Sequence, residues 1–460
     1  MLFTQFEFPV FFAVVLIVAW LCRRRQTRNF VLLGASYYFY AYWDYRFCSL
    51  LALSTLVDYS IARRMVCVSS VRMRRALLLL SLGVNLGVLG FFKYFNFFID
   101  SASPALRAIG LSGETLDIIL PVGVSFYTFQ TLSYTIDVYR GRLKPVNRLI
   151  DFALYVAFFP QLVAGPIVRA RELLPQLAGV PRFSKRRFYG GMQQMLRGLV
   201  KKVLLADRLG EAVDVVFAGP DIYSGVTVWI AVLAYAAQIY YDFSGYSDIA
   251  IGAAKMLGYR FPANFRHPYL SLSMTEFWHR WHMTLSRWLR DYVYIAMGGS
   301  RVSRWMTYRN LMVTMTLGGL WHGAAWTFVL WGMWHGLALV IERAMRQTGH
   351  DRLARPFKWL LTMLVILVGW VLFRSESLPA AAGVLQRMLD FSNGVHWYPP
   401  LVIAALFCCV LEHAAWRTRL RIAMRLPFSK WYSPVLTTVM IWALLLYAPR
   451  NFQPFVYFQF

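Results

Sequence analysis

Long apolar segments alternate with short polar loops along almost the whole chain. The segments lie at about residues 8–21, 29–42, 49–62, 76–98, 118–138, 149–164, 203–218, 226–250, 306–321, 325–341, 357–373, 399–412 and 434–448. A helix needs about 20 apolar residues to cross the hydrocarbon core of a bilayer. Several segments are shorter, which indicates tilted, kinked or re-entrant helices. The pattern predicts an all-α, polytopic membrane protein with about ten to twelve transmembrane helices.

The basic residues predict how these segments are oriented. They cluster in short loops, at residues 23–28, 63–75, 140–148, 343–358 and 417–430. Cytoplasmic loops carry an excess of Lys and Arg, so these loops are expected to be cytoplasmic and both termini periplasmic. The net charge of +26 then reflects topology, and no nucleic acid partner is predicted. Segment 8–21 precedes its positive charge, so it is expected to be a first membrane helix and not a cleavable signal.

Two regions break the regular alternation. The stretch Phe158–Val168 contains Pro160, Gly165 and Pro166, which interrupt a helix. We expect it to enter the membrane and return, beside a cavity, because non-helical backbone at that depth is tolerated only inside protein. Region 255–305 is basic and aromatic, which indicates amphipathic and re-entrant helices at the cytoplasmic face. No internal repeat or linker is visible, so residues 1–460 are predicted to form one membrane domain.

His322 is the first candidate for chemistry. It lies in LGGLWHGAAW, at the end of an apolar segment, where an ionisable side chain is costly and often marks a functional site. A neutral imidazole can take a proton from a hydroxyl and return it to a leaving group. The alternative is a histidine that only hydrogen-bonds between helices, and the residues alone leave both interpretations open.

His279 and His282 form a second pair of candidates. Both are predicted to lie on a helix that starts near Met274, with Ser273 as its N-cap and Glu276 three residues later. They are expected near the cytoplasmic entrance, with His322 at the far end of a path. No third ligand stands at a suitable spacing from both histidines, so no metal site is predicted. The cysteines also show no metal-binding spacing, and they are interpreted as core residues.

Other polar and aromatic residues suggest supporting roles. Asp242 and Ser244, in QIYYDFSGYSDIA, are expected to line the cytoplasmic mouth. Trp278 and Trp281 are interpreted as core or interface anchors. His335 repeats the Trp-His-Gly triplet of His322 and is expected to pack between helices. The apolar residues 455–460 are expected to be packed or inserted, and Tyr457 supplies their only reactive group. No ATP-binding or dinucleotide-binding pattern is present.

Four motifs together resemble those of the membrane-bound O-acyltransferases. In this sequence they read DFSGYSD at 242–248, FWHRWH at 277–282, LSRWLRDY at 285–292 and GLWHG at 319–323. Within the family the chain resembles the bacterial alginate O-acetyltransferases, to which the D-alanyl transferases are related. Residues 159–169 and the C-terminal PFVYFQF are also similar to that branch. The resemblance runs from about Asn29 to Phe460, with its core motifs within 120–345. One turn departs from the usual pattern, at Ala296 and Met297.

The resemblance implies a fold with a central tunnel and assigns roles to individual residues. His322 matches the catalytic histidine of the family and His282 its second signature histidine, while Tyr457 matches a tyrosine proposed to accept the acyl group. No bound cofactor is implied. Residues expected along the tunnel or at the donor mouth are Asp242, Ser244, Trp278, Trp281, Arg290, Asp291 and Trp321.

The resemblance also implies partners and a location. The donor would be acetyl-coenzyme A or an acyl carrier thioester, and the basic face would suit its phosphates. A periplasmic acetyltransferase and membrane lipid would be partners, in the bacterial inner membrane. The implied function is O-acetylation of an exported polysaccharide, with alginate as the first candidate. D-alanyl or peptidoglycan acyl transfer, a non-catalytic polysaccharide or lipid conduit, and an export scaffold remain alternatives.

Overall fold

A computed structural model describes residues 1–111, 113–163, 165–348, 353–391, 394–415, 432–447 and 455. Within these ranges all regular secondary structure is helical, apart from an isolated bridge between Tyr223 and Val395. The helices are α1 (Glu7–Leu21), α2 (Arg25–Asp44), α3 (Cys48–Cys67), α4 (Val71–Leu89), α5 (Phe95–Ala108), α6 (Val124–Tyr139), α7 (Leu149–Ala157), α8 (Phe159–Leu162), α9 (Ala170–Leu177), α10 (Lys185–Leu199), α11 (Asp207–Ala218), α12 (Gly225–Met256), α13 (Met274–Arg280), α14 (Met283–Leu289), α15 (Arg304–His322), α16 (Trp326–Gln347), α17 (Arg355–Arg374), α18 (Leu378–Leu389), α19 (Pro400–Ala414) and α20 (Tyr432–Tyr447).

The prediction of an all-α polytopic membrane protein is confirmed. Three helical stretches of the described chain are long and apolar enough to cross a membrane: Val71–Ala108, Gly225–Met256 and Arg355–Arg374. The first of them joins α4 to α5 through a π-helical turn, Gly90–Tyr94. Helices α1, α19 and α20 are apolar but shorter. The number of spans, the orientation and the single domain stay predictions.

The chain groups into two compact units. The first consists of Met1–Met195 and Ile249–Pro262, and the second of Leu196–Asp248 and Ala263–Phe460. In the first unit the guanidinium of Arg28 is fully buried and donates to the carbonyl oxygens of Ala19 and Leu257, each at 2.6 Å. A buried charge needs such partners because its desolvation is costly. Arg28 therefore joins the two chain segments of this unit.

The predicted helix break at Phe158–Val168 is confirmed. Helix α7 stops at Ala157, because Phe158 leaves the helical conformation with ψ 109°, and only the short helix α8 follows. A side chain at Gly165 would lie 2.6 Å from the α-carbon of Gln161, so only glycine fits this close approach. The backbone nitrogen of Phe159 donates to Ser36 Oγ at 3.1 Å, which satisfies one group freed by the break.

In the second unit, glycines let α15 and α16 pack backbone to backbone. A methyl group on Gly319 would lie 3.1 Å from the backbone nitrogen and α-carbon of Gly332, and closer still to the carbonyl oxygen of Phe328. Small residues at helix contacts permit this approach in membrane proteins. Helix α17 packs on the other side of α16, where Trp334 Nε1 donates to the carbonyl of Val365 at 2.8 Å. This packing holds the C-terminal end of α15, which carries His322.

Candidate active site

A cavity of about 370 Å³ in the second unit contains the candidate catalytic histidine. It is lined by Thr275, Trp278, His279, Met283, Leu285, Ser286, Arg287, Leu289, Arg290, Tyr294, Leu311, Thr314, Met315, Gly318, His322, Trp331, Leu339 and Arg343. Burial varies along this lining. His279 and Arg290 are exposed, whereas His322 is 3% exposed. The cavity therefore leads from a cationic, accessible end to a buried imidazole.

His322 is the last residue of α15 and is surrounded by aromatic rings. Gly323 caps the helix in an extended conformation, so the chain turns away directly after the histidine. The ring centroids of Trp321, Trp331 and Phe373 lie 5.1, 5.1 and 5.3 Å from that of His322. Such a site excludes bulk water, which would suppress hydrolysis of a reactive ester.

His282 lies beside His322, with 6.3 Å between the two ring centroids. Two predictions about His282 are therefore wrong. It does not continue the helix of His279, because α13 ends at Arg280 and His282 adopts a left-handed conformation at φ 41°. Nor does it lie at the far end of the path from His322. A non-glycine residue at positive φ is uncommon, and it persists where its surroundings hold it in place.

Asn264 holds His282 in place, and no pattern in the sequence predicted this contact. Its side-chain oxygen lies 3.3 Å from His282 Nδ1 and accepts from Thr284 Oγ1 at 2.9 Å. Because an amide oxygen only accepts, Nδ1 of His282 carries the proton and Nε2 does not. On the other face, the ring of Phe243 lies 4.5 Å from the imidazole. Burial lowers the pKa of His282 to about 3, so this imidazole is neutral near pH 7.

Comparison with known proteins identifies the family of the chain. The sequence model of the membrane-bound O-acyltransferase (MBOAT) family matches residues 145–374, which include the cavity and both histidines. The chain belongs to the membrane-bound O-acyltransferase family. It is therefore an O-acyltransferase, and the resemblance seen in its motifs is confirmed.

Several bacterial members of the family are similar over most of their length. Two proteins named "probable alginate O-acetylase AlgI" are each 46% identical to the chain. The one from Azotobacter vinelandii matches over 80% of this chain and 73% of its own length. The one from Pseudomonas aeruginosa matches over 85% and 76%. The peptidoglycan O-acetyltransferase of Helicobacter pylori is 36% identical over 78% of this chain and 73% of its own.

The tryptophans and charges predicted along the tunnel have different settings in the structure. Trp278 and Arg290 line the cavity. Trp321 packs against His322 and lies 5.9 Å from His282. Trp281 is instead a core residue, and its ring lies 4.9 Å from that of Trp370. Asp291 forms an ion pair with Arg290, with 2.7 Å between Oδ1 and Nε, and so holds that cation at the accessible end.

Asp242 and Ser244 are buried and are not among the described lining residues of this cavity. Their position at a cytoplasmic mouth therefore stays a prediction. Asp242 instead pairs with Lys202 Nζ at 2.7 Å, and Asp207 contacts the same ammonium at 2.7 Å. The π-helical turn Val200–Ala206 places Lys202 between the two carboxylates. Buried charges require partners. The pair with Asp242 was not visible in the sequence because Asp242 lies 40 residues after Lys202.

Three further histidines have settings of their own in the described part of the chain. His279 is exposed, and its Nδ1 lies 2.7 Å from the carbonyl oxygen of Thr275. His335 is fully buried among aromatic rings, and a methyl group on Gly369 would lie 2.6 Å from its Nε2. His413 stacks on Tyr269 with ring centroids 5.4 Å apart. Across the described part of the chain, no three His, Cys, Asp or Glu side chains converge as metal ligands.

Tyr457 lies outside the described residues. Two positions earlier, Phe455 is 1% exposed, and its ring lies 5.5 Å from Phe243 and 4.7 Å from Tyr246. The expectation that the apolar tail packs is confirmed for Phe455. Phe243 is also the residue that packs on His282, so Phe455 lies one ring away from that histidine.

Proposed function

We propose that the protein moves an acetyl group from a cytoplasmic thioester donor, across the inner membrane, for O-acetylation of exported alginate. The observation that carries this proposal is the position of His322 at the buried end of a cavity whose accessible end is cationic. The names of the relatives from Azotobacter and Pseudomonas support alginate as the acceptor. The peptidoglycan O-acetyltransferase relative makes peptidoglycan the second candidate.

The charges of the cavity suit a donor that carries phosphate. Arg287, Arg290 and Arg343 contribute guanidinium groups to its lining, and a guanidinium binds phosphate through paired hydrogen bonds. Beyond them the walls are mostly apolar, with Leu285 and Met315 among them. A slender pantetheine arm could extend along these walls while its phosphates stay at the cations. Acetyl-coenzyme A and an acyl carrier protein share this arm, and titration with each one separately distinguishes them.

The chemistry follows from the position of the imidazole. His322 removes the proton of the acceptor hydroxyl, and that oxygen attacks the thioester carbonyl. The carbon–sulfur bond then breaks, and the thiolate leaves with the proton returned by His322. The new ester remains on the acceptor oxygen. His282, neutral and fixed by Asn264, would orient the reacting groups beside His322.

The immediate acceptor is proposed to be the hydroxyl of Tyr457, from which a periplasmic acetyltransferase would pass the acetyl group to the polymer. The sequence motif and the burial of Phe455 near Phe243 support this order. Tyr457→Phe should abolish transfer while leaving the protein folded and inserted. Peptide mass spectrometry of the wild type should find acetyl on Tyr457. Full activity of Tyr457→Phe, with no acetyl trapped on the wild type, would refute this step.

Measurements in cells separate the enzyme from a conduit or a scaffold. His322→Ala should leave polymer output near normal and remove its acetyl groups. His396→Ala is the matched control, because His396 is exposed and lies outside the cavity lining. Acetylation at the wild-type level in the His322→Ala strain would overturn the proposed role of His322. Loss of polymer output with unchanged acetyl content would favour a conduit.

A further inference from the structure

Asp58 carries a carboxyl group that is fully buried inside the first unit. It lies near the middle of α3 and is 0% exposed. Its partners on α4 belong to the stretch Val71–Ala108, which is long and apolar enough to cross a membrane. An ionisable side chain at membrane depth is costly, and it indicates a functional site whose partners must be found.

Both carboxyl oxygens of Asp58 have neutral hydrogen-bond partners. Ser81 Oγ donates to Oδ1, and Asn85 Nδ2 donates to Oδ2 at 2.9 Å. Asn85 Oδ1 in turn accepts from Ser54 Oγ at 2.6 Å and from Thr131 Oγ1 at 3.3 Å. These bonds join α3, α4 and α6 through one polar cluster, and none of them brings a positive charge.

Within the described part of the first unit, no positive charge pairs with Asp58. The described residues include every charged residue of this unit, because only Ser112 and Ala164 lie outside them. Among them no Lys, Arg or His forms an ion pair with Asp58. A bare carboxylate at this depth would be costly, so the site requires one positive charge that these residues do not supply.

Two hydroxyl groups of α6, one helical turn apart, lie beside the same carboxyl group. They belong to Thr131 and Thr135. Thr131 Oγ1 lies within 3.1 Å of the carbonyl oxygen of Thr128 and can donate its proton there, which leaves its lone pairs for another ligand. Thr135 is fully buried, and its Oγ1 forms no hydrogen bond of normal geometry. A buried hydroxyl without a partner, beside a carboxyl group, indicates that a further ligand binds between them.

Three kinds of small ligand differ in which of these needs they satisfy. A proton on Asp58 cancels the charge but leaves the hydroxyl of Thr135 without a partner. A water molecule gives Thr135 a partner but cancels no charge. A small monovalent metal cation does both, because it carries one positive charge and binds oxygen atoms. A divalent cation would leave one positive charge uncompensated in its place.

We propose that Asp58, Thr131 and Thr135 bind a small monovalent cation between α3 and α6, with Na⁺ as the ion to test. The cation links two helices of the first unit, so its binding stabilises the folded chain. The proposal does not depend on the donor or the acceptor of the acyl transfer.

Equilibrium dialysis of the purified full chain against radioactive Na⁺ measures this site directly, with choline chloride keeping the ionic strength constant. The wild type should show saturable binding. Asp58→Asn has nearly the same shape without the charge, and it should weaken Na⁺ binding at least about 100-fold, because one partner of a buried ion pair is lost. Asp100→Asn is the matched control. Asp100 is exposed on α5, and its change should alter binding less than about threefold.

A second variant keeps the charge and removes one oxygen ligand. Thr135→Val should weaken Na⁺ binding about tenfold, which is the usual loss for one polar contact to a charged group. Thr362→Val is its control, because Thr362 is a buried threonine of α17 whose Oγ1 donates to the carbonyl oxygen of Lys358 at 2.7 Å. This control should match the wild type in Na⁺ binding, and gel filtration checks that each variant is folded.

Thermal unfolding provides an independent measurement. Na⁺ should raise the unfolding temperature of the wild type above its value in choline at the same ionic strength, and it should not do so in Asp58→Asn. Absence of saturable Na⁺ binding by the wild type, or equal binding by the wild type and Asp58→Asn, would overturn the proposal. So would equal losses in Thr135→Val and Thr362→Val.

Discussion

Gly319 offers a direct test of how closely α15 and α16 must pack to place His322. An ordinary contact to an added methyl carbon is 3.4–4 Å. In Gly319→Ala that carbon would lie 3.1 Å from two backbone atoms of Gly332. Its distance to the carbonyl oxygen of Phe328 would be more than about 1 Å shorter than an ordinary contact. Backbone atoms cannot rotate away as side chains do, so α15 must move by about 1 Å. His322 follows three residues later on the same helix and must move with it.

A displacement of about 1 Å at a reacting group can cost about 100-fold in rate. We therefore expect Gly319→Ala to lower the rate of acetyl transfer about 100-fold per folded molecule. The assay is release of free thiol from the thioester donor by purified protein, with the folded fraction measured by gel filtration.

Two alanine variants complete the series. The added methyl group of Gly318→Ala would contact only the Leu289 side chain, at 3.1 Å. The rate of acetyl transfer should therefore fall less than about tenfold. Gly87→Ala, on α4, meets nothing within 4 Å and should match the wild type. A wild-type rate in Gly319→Ala, or equal losses in Gly319→Ala and Gly87→Ala, would refute the close packing.

Three further predictions concern the supports of the site. Burial lowers the pKa of His282 to about 3, below its value near 6.5 in the unfolded chain. Between these two values the unfolded chain is protonated at His282 and the folded chain is not. The folded state therefore loses stability as the pH falls below about 6.5. His282→Gln should therefore reduce the stability difference between pH 7 and pH 5 by about 2 kcal/mol in thermal unfolding; an unchanged difference would argue against a buried neutral imidazole. Lys202→Met leaves the carboxylates of Asp207 and Asp242 without their shared cation and should lower the free energy of unfolding by about 3–5 kcal/mol. The control Lys185→Met, at an exposed position, should change it by less than about 0.5 kcal/mol. Similar values for the two variants would contradict the buried network. Asn264→Leu removes the acceptor of His282 Nδ1 and should lower turnover up to about tenfold, with the KM for the donor unchanged; a change confined to KM would place Asn264 in donor binding instead.

Local signals in the sequence predicted most of the helices. Apolar segments of sufficient length become helices because the bilayer requires internal hydrogen bonding, and the structure has a helix in each predicted segment. The Ser273 cap was predicted from Glu276 three residues later, and Ser273 Oγ accepts from the backbone nitrogen of Glu276 at 3.1 Å. The helix break after Ala157 was likewise visible in Pro160 and Gly165.

The errors arose where tertiary contacts override local pattern. Spacing alone placed His279 and His282 on one helix, but Asn264, 18 residues before His282, holds that histidine in a left-handed conformation. The residues next to His282 in the sequence give no indication of this contact. The sequence pattern also did not predict the ion pair between Asp242 and Lys202, which lies 40 residues earlier. Pairings across such distances need the fold to be known.

The central claim is that His322 is the base that activates the acceptor hydroxyl. The most direct measurement is acetyl transfer by purified His322→Gln, with thiol release and acetylation of the acceptor followed together. We expect both to fall at least about 100-fold, with folding and donor binding retained, because general base catalysis contributes about 100-fold to 10,000-fold. A His322→Gln protein that transfers acetyl at the wild-type rate would contradict the claim.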